Sequence, residues 1–256
     1  MPGRPYVLNE VALRTLPKDA CQVAVLPWGA TEPHNLHLPY GTDSIQAEAI
    51  AIESARLCHD RGLRIMVLPT MPFGANAQQL GTTLTVNMHP STQAKVLEDI
   101  AESLDAHDIR KLVLINGHGG NDFKPMVREV QSRVRVFLCI VNWWTVLPGK
   151  EYFDDPGDHA GELETSVMQH VAPDLVLPLD EAGRGRARIF RIQALREGWA
   201  WAPRDWKKVT DDTGVGDPKA ASAAKGERFF HDVTQKVAGF LTELAAADLD
   251  DMYRDP

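Results

Sequence analysis

Four short apolar runs, "CQVAVLP", "RIMVLP", "KLVLIN" and "RVFLCIV", constrain the fold more than any other feature of the chain. Each has the length and β-branched content of a strand buried on both faces. Between them lie segments with apolar residues at helical spacing: "DSIQAEAIAIESARLCHDRG", ending near Gly62, then "HPSTQAKVLEDIAESLDAHD" and "NDFKPMVREVQSRV". Strands that alternate with helices and show no polar face predict an α/β fold with a mostly parallel central sheet, covered on both sides. A long amphipathic helix, "KAASAAKGERFFHDVTQKVAGFLTELAAA", closes the pattern. Residues 173–218, rich in Gly, Pro, Arg and Trp, have no clear period. Their apolar content predicts a packed excursion over the sheet. No repeat or composition break marks a second domain, so residues 1–256 read as one unit.

Composition narrows the function classes. A chain of 256 residues with 44% hydrophobic content can bury a sizeable core. Its net charge of −8 argues against general binding to nucleic acid or to an anionic membrane surface. No apolar stretch approaches the roughly 20 residues of a membrane helix, and the N-terminus lacks a signal-like apolar run. A cytoplasmic protein is expected, and the charge balance leaves a small-molecule substrate open. Cys21, Cys58 and Cys139 are far apart and form no CxxC pair, which excludes a zinc knuckle or a disulfide framework.

Ligands of parallel sheets collect at the carboxyl ends of the strands. Three polar clusters fall there or nearby. "GATEPHNLHLPYGTD" follows the first strand and carries Glu32, His34, His37 and Asp43; its prolines and glycines exclude a regular helix. Asp43 with Gln46 has capping-box spacing, so helix capping alone would account for it. His37, between leucines, reads as a structural histidine. "NGHGGN" follows the third strand, with His118 beside Gly117, Gly119 and Gly120. These glycines allow either a simple turn or the close approach of a ligand, and Gly119 and Gly120 are the candidate substrate contacts. The spacing lacks the G-x-G-x-x-G or Lys-Ser/Thr signature of a phosphate loop. "HAGELETS" adds His159, Glu162 and Glu164. An acidic residue at a helix start suits Glu162 and leaves Glu164 free for another task. Mixed carboxylate and imidazole groups are the ligand set of a zinc, manganese or iron hydrolase.

The segments "LPWGATEPHNLHLPYGTD", "NGHGGN", "HAGELETS" and "GVGDPKAASAAKGE" occur in one order and resemble the signature segments of the creatininase (creatinine amidohydrolase) family. The resemblance implies a three-layer α/β/α sandwich with two divalent metal ions per chain, assembled as a homo-oligomer, commonly a hexamer. It implies that Glu32 and His118 bind one ion, that His34 binds the other, and that Asp43 bridges them. His159 matches a histidine of proton transfer, and His159 or Glu164 would move the proton to the leaving nitrogen. Gly120 stands where creatininase itself has a glutamate ligand, which makes Glu164 the candidate for the missing ligand. Trp144 matches one substrate-side tryptophan, whereas Asp155 replaces the other. The implied chemistry is hydrolysis of a cyclic amide or small acyl-amine C–N bond. Peptide or cyclic diketone substrates, or a non-catalytic metal-binding role, are the alternatives.

Overall fold

All four expected strands form, and they form a single sheet. In the computed structural model, which describes residues 3–255, they are β1 (Val23–Trp28), β2 (Ile65–Val67), β3 (Lys111–Asn116) and β4 (Phe137–Asn142). Their order across the sheet is β2-β1-β3-β4, and every neighbouring pair is parallel. Parallel pairs need crossovers, and the helices supply them: α1 (Thr42–His59), α2 (Pro90–Asp105) and α3 (Phe123–Gln131).

Alternate residues of each strand point to opposite faces, which divides the core in two. Val23, Val25, Ile65, Val67, Val113 and Ile115 pack on one side with Ile50 and Ala51 of α1. Leu163 and Val167 of α4 (Glu162–Val171) and Phe229 and Val233 of α7 (Ala223–Ala246) complete that layer. Ala24, Leu26, Trp28, Leu112 and Leu114 pack on the other side with Leu97 of α2 and Phe123 and Met126 of α3. A sheet between two helical layers is an α/β/α sandwich.

The chain leaves β1 toward β2 on one side and returns to β3 on the other. The crevice beyond β1 and β3 is therefore a topological switch point, the usual ligand position in such sheets. Residues 29–41 and 117–122 lie there by chain order.

Residues 173–222 differ from the expected packed cover over the sheet. Two short helices, α5 (Gln193–Glu197) and α6 (Trp206–Val209), interrupt an irregular path. The segment docks mainly at the crevice: Trp206 is buried edge-on against His159, and Asn35 exchanges hydrogen bonds with the backbone of Gly183. Its tip stays out of the core, with Ile189, Ile192, Trp199 and Trp201 all exposed. Among the described residues, no helix is long and apolar enough to cross a membrane.

Candidate metal centre

The loop after β1 is fixed by its own backbone. Gly29 N–H donates to Met71 O, and Glu32 N–H donates to Tyr40 O, closing the loop on itself. Asn35 takes a left-handed conformation (φ 55°), which Asn tolerates better than most residues, and this turns the chain between His34 and Leu38. Glu32 and His34 thereby become fully buried, and Asp43 follows in the first turn of α1.

Asp43 does not cap its helix. Gly41 is the N-cap residue, and no side chain caps the α1 N-terminus. The Asp43 carboxylate instead faces His34 Nε2 at 2.9 Å and His118 Nδ1 at 3.2 Å. Gln46 likewise turns away from Asp43 and donates to Glu164 O at 2.8 Å. The capping-box spacing is thus coincidental, because both residues have partners distant in sequence.

Tautomers sharpen the chemistry. A carbonyl oxygen only accepts, so the imidazole nitrogen bonded to it carries the hydrogen. His34 Nδ1 donates to Glu32 O at 3.0 Å, and His118 Nε2 donates to Ala75 O at 3.2 Å. The inner nitrogens then present lone pairs toward carboxylates: His34 toward Asp43, and His118 toward Glu32 Oε1 at 2.9 Å. Lone pair against anion is repulsive unless a cation lies between. Glu32 Oε1 and Asp43 Oδ2 are moreover buried without any hydrogen-bond donor.

A proton or a metal ion would satisfy this arrangement. With protons alone, burial opposes charging His34, yet the Asp43 carboxylate outweighs it and raises the pKa to about 10. His118 is also raised against the effect of burial, chiefly by Glu32. Asp43 is lowered despite its burial, by His34 and His118, whereas burial raises Glu164. The fold therefore demands positive charge among three buried or half-buried carboxylates. The donor atoms also fit metal: Glu32–Asp43–His118 and His34–Asp43–Glu164 each place one ligand atom per residue within 4.8 Å of the others. Asp43 belongs to both sets. Each histidine is anchored through its outer N–H, the usual support of a metal-binding imidazole.

His159 belongs to a third such set, with Glu32 and His34. Its Nε2–H donates to Pro33 O at 2.9 Å, and its Nδ1 faces Glu32 Oε1 at 3.8 Å. Its ring lies 4.2 Å from that of His34, centroid to centroid. Two-way backbone bonds with Val215, at 2.8 and 3.0 Å, hold it there, which gives the "GVGDP" segment a structural role.

The remaining candidates lie outside the donor sets. Glu162 is buried in a bond with Lys225 and accepts from Asp155 N–H at 2.9 Å. Asp155 is exposed and lines an open cleft of about 640 Å³ with Lys150, Arg184 and Val215. Trp144 packs edge-on against Trp143, on the α1–α4–α7 side of the sheet. Gly119 and Gly120 are exposed, and an added Cβ at Gly119 would meet nothing within 4 Å. His37 is the expected structural histidine, buried and bonded to Thr165 Oγ1 at 2.9 Å.

One residue escaped the sequence reading. Gln79, buried in a short 3₁₀ turn (Ala77–Gln79), donates its side-chain N–H to Glu32 Oε2. Only the polar run around it, "ANAQQ", hinted at such a role.

A sandwich whose switch-point crevice holds overlapping carboxylate–imidazole sets defines the class, an α/β/α scaffold with a candidate metal centre of the hydrolase type. Comparison with known proteins makes this specific. Residues 8–241 match the model of the creatininase family, described as creatinine amidohydrolase. The chain is 31% identical over 231 residues to the mycofactocin precursor peptide peptidase of Mycobacterium tuberculosis (strain CDC 1551 / Oshkosh), with 86% of each chain covered. Among solved structures, a Bacteroides fragilis NCTC 9343 protein provisionally named a creatinine amidohydrolase is 45% identical, with a TM-score of 0.92. That match covers 98% of this chain and 99% of the other. A creatininase solved with Mn shares the fold at TM-score 0.78 and 22% identity, covering 95% of this chain and all of that one. The chain belongs to the creatininase family of hydrolases.

Proposed function

We propose that this protein is a binuclear metal-dependent hydrolase that cleaves the C–N bond of an amide. The observation that carries the reading is the pair of donor sets joined through Asp43, with unpartnered carboxylate oxygens facing anchored imidazoles. Glu32, Asp43 and His118 would hold one divalent ion, and His34, Asp43 and Glu164 the other; zinc, manganese and iron all suit such ligands. Ions held there would supply a water of lowered pKa and a polarised carbonyl oxygen.

The chain's own residues supply the rest. His159 offers Nδ1 on the side of the cluster because its Nε2–H is committed to Pro33 O. It would accept a proton from the attacking water and return it to the leaving nitrogen, a general acid–base role. Trp206 packed against its ring limits its rotation. Gly119 and Gly120, exposed beside His118, leave room for the substrate amide.

The substrate class is a cyclic amide or a small acyl-amine. A short peptide is the second reading, favoured by the 31% identity to a named peptide peptidase. Creatinine itself is expected to be a poor substrate, because Asp155 stands in place of an aromatic ring wall. Turnover of creatinine at about 10⁴ M⁻¹s⁻¹ or faster would refute that exclusion. The exposed apolar tip, with Trp199 and Trp201, is read as the contact of a homo-oligomer.

Metal analysis tests the core of the proposal. After loading with Mn²⁺ or Zn²⁺ and gel filtration, about two ions per chain are expected. Asp43→Ala should lose both, since one carboxylate serves both sets. Full metal retention by that variant would overturn the assignment.

A further inference from the structure

We infer that Gln79 is a positioning residue for one of the two proposed ions, and that the segment Ala75–Gln79 acts as the outer support of that ion alone. The inference rests on the binuclear reading and adds to it an asymmetry between the two donor sets.

Glu32 has two carboxylate oxygens with different surroundings. Oε2 accepts from the Gln79 side-chain N–H, whereas Oε1 has no donor and faces His118 Nδ1 at 2.9 Å. Gln79 therefore occupies one oxygen and turns the other toward the ion position. The amide is neutral, so it orients Glu32 without competing as a cation for the carboxylate. Four residues earlier in the same segment, Ala75 O accepts from His118 Nε2–H at 3.2 Å. One short stretch thus holds the outer atoms of Glu32 and His118, the two members of the Glu32–Asp43–His118 set that the His34–Asp43–Glu164 set lacks.

The other set is supported differently. His34 is anchored on Glu32 O within its own loop, and Glu164 accepts from Ala160 N–H one turn before it. Both supports are backbone groups local to the ligands, and neither involves residues 75–79.

The segment itself is seated by a separate network. Ala75 N–H donates to Asn121 Oδ1 at 3.0 Å, and Asn121 Oδ1 also accepts from buried Gln93 at 2.8 Å. Asn76 N–H donates to Asn87 Oδ1 at 2.8 Å, and Gln79 N–H closes the turn on Asn76 O at 2.9 Å. Removing the Gln79 side chain leaves these bonds in place. The expected effect is therefore on the geometry of Glu32 and not on the fold.

The test is a metal titration of the metal-free full-length protein with Mn²⁺, followed by calorimetry and by electron paramagnetic resonance. Wild type should bind two ions and show the spectrum of a coupled Mn pair. Gln79→Ala should weaken one binding step by about 10–100-fold, the usual cost of losing an outer partner of a ligand, and leave the other unchanged. At one equivalent of Mn²⁺ its spectrum should be that of an isolated ion, with the coupled pair returning only at higher Mn²⁺ than wild type needs. Gln79→Asn, which is too short to reach Glu32, should behave like Gln79→Ala and controls for loss of the amide itself.

Two ions bound with wild-type affinities by both variants would overturn the inference while leaving the binuclear reading intact. Equal weakening of both steps would also overturn it, because it denies the asymmetry. Failure of the wild type to bind any ion would instead refute the binuclear reading.

Discussion

Gly117→Ala is the substitution whose consequence the structure fixes most closely. Gly117 follows β3 and precedes His118, and its N–H donates to Trp28 O at 2.9 Å. A Cβ at this position would lie 2.3 Å from the carbonyl oxygen of Asp43 and 3.2 Å from Ala47 Cβ. Ordinary contact is longer by about 1 Å. The obstructing atom is backbone in the first turn of α1, so no rotamer change relieves the clash. The His118 loop and the α1 N-terminus must move apart.

That separation acts directly on the proposed site, because His118 Nδ1 and the Asp43 carboxylate are 3.2 Å apart across this junction. Functional constellations need placement within about 0.5 Å, and a misplacement near 1 Å costs about 10²-fold in rate. Forced overpacking of this kind costs about 1–3 kcal/mol, which lowers Tm by about 3–10 °C in a chain of this size. Gly119→Ala is the control: its Cβ meets nothing within 4 Å, so Tm and metal content should match wild type. The assays are thermal unfolding, metal analysis after Mn²⁺ loading, and kcat/KM on an amide substrate. Gly117→Ala with wild-type Tm, two ions and unchanged kcat/KM would refute the reasoning; so would equal losses of Tm and bound metal in both variants.

Glu164→Gln should lose about half of the bound metal and nearly all activity, whereas Glu162→Gln should keep the metal and lose thermal stability, because Glu162 is committed to Lys225. Metal analysis with a melting curve separates the two, and exchanged outcomes would reverse the assignments. His37 is held to a pKa of about 4 by burial, then by the neighbouring His34 charge, against an ordinary value of 6.5. Below about pH 6.5 the unfolded chain takes up a proton that the folded chain refuses, so this group removes stability as pH falls toward 4. In urea unfolding of the protein at pH 7 and pH 5, His37→Gln should lose less stability than wild type over that interval. Light scattering at micromolar concentration should find a homo-oligomer, expected to be hexameric, and Trp201→Asp should shift it toward smaller species; a wild-type monomer would remove the assembly reading.

Much of this arrangement was legible in the sequence because strand–helix alternation is a local signal and its consequence is global. Once "CQVAVLP" and "KLVLIN" are strands of one parallel sheet, the loops that follow them must meet, and Glu32 and His118 meet with them. Asp43 shows the limit of local reading. Its spacing to Gln46 fits a capping box, yet its carboxylate is claimed by His34, nine residues away, and by His118, whose loop arrives from β3. A buried anion beside two imidazoles that share a proton or an ion with it gains more than a helix cap gives, so the long-range partner decides. Gln79 was illegible for the same reason: nothing near it in sequence predicts a bond to Glu32, 47 residues distant. The tryptophans of residues 199–206 make the point within one segment. Trp206 is buried at 5% exposure against His159, while Trp201, five positions earlier, is 84% exposed. Composition and propensity treat the two alike. The difference lies in where the chain passes the crevice, and Val215 pairing with His159 helps to fix that path. The segment without a sequence pattern is therefore ordered by the site, through contacts that no period in its own residues records.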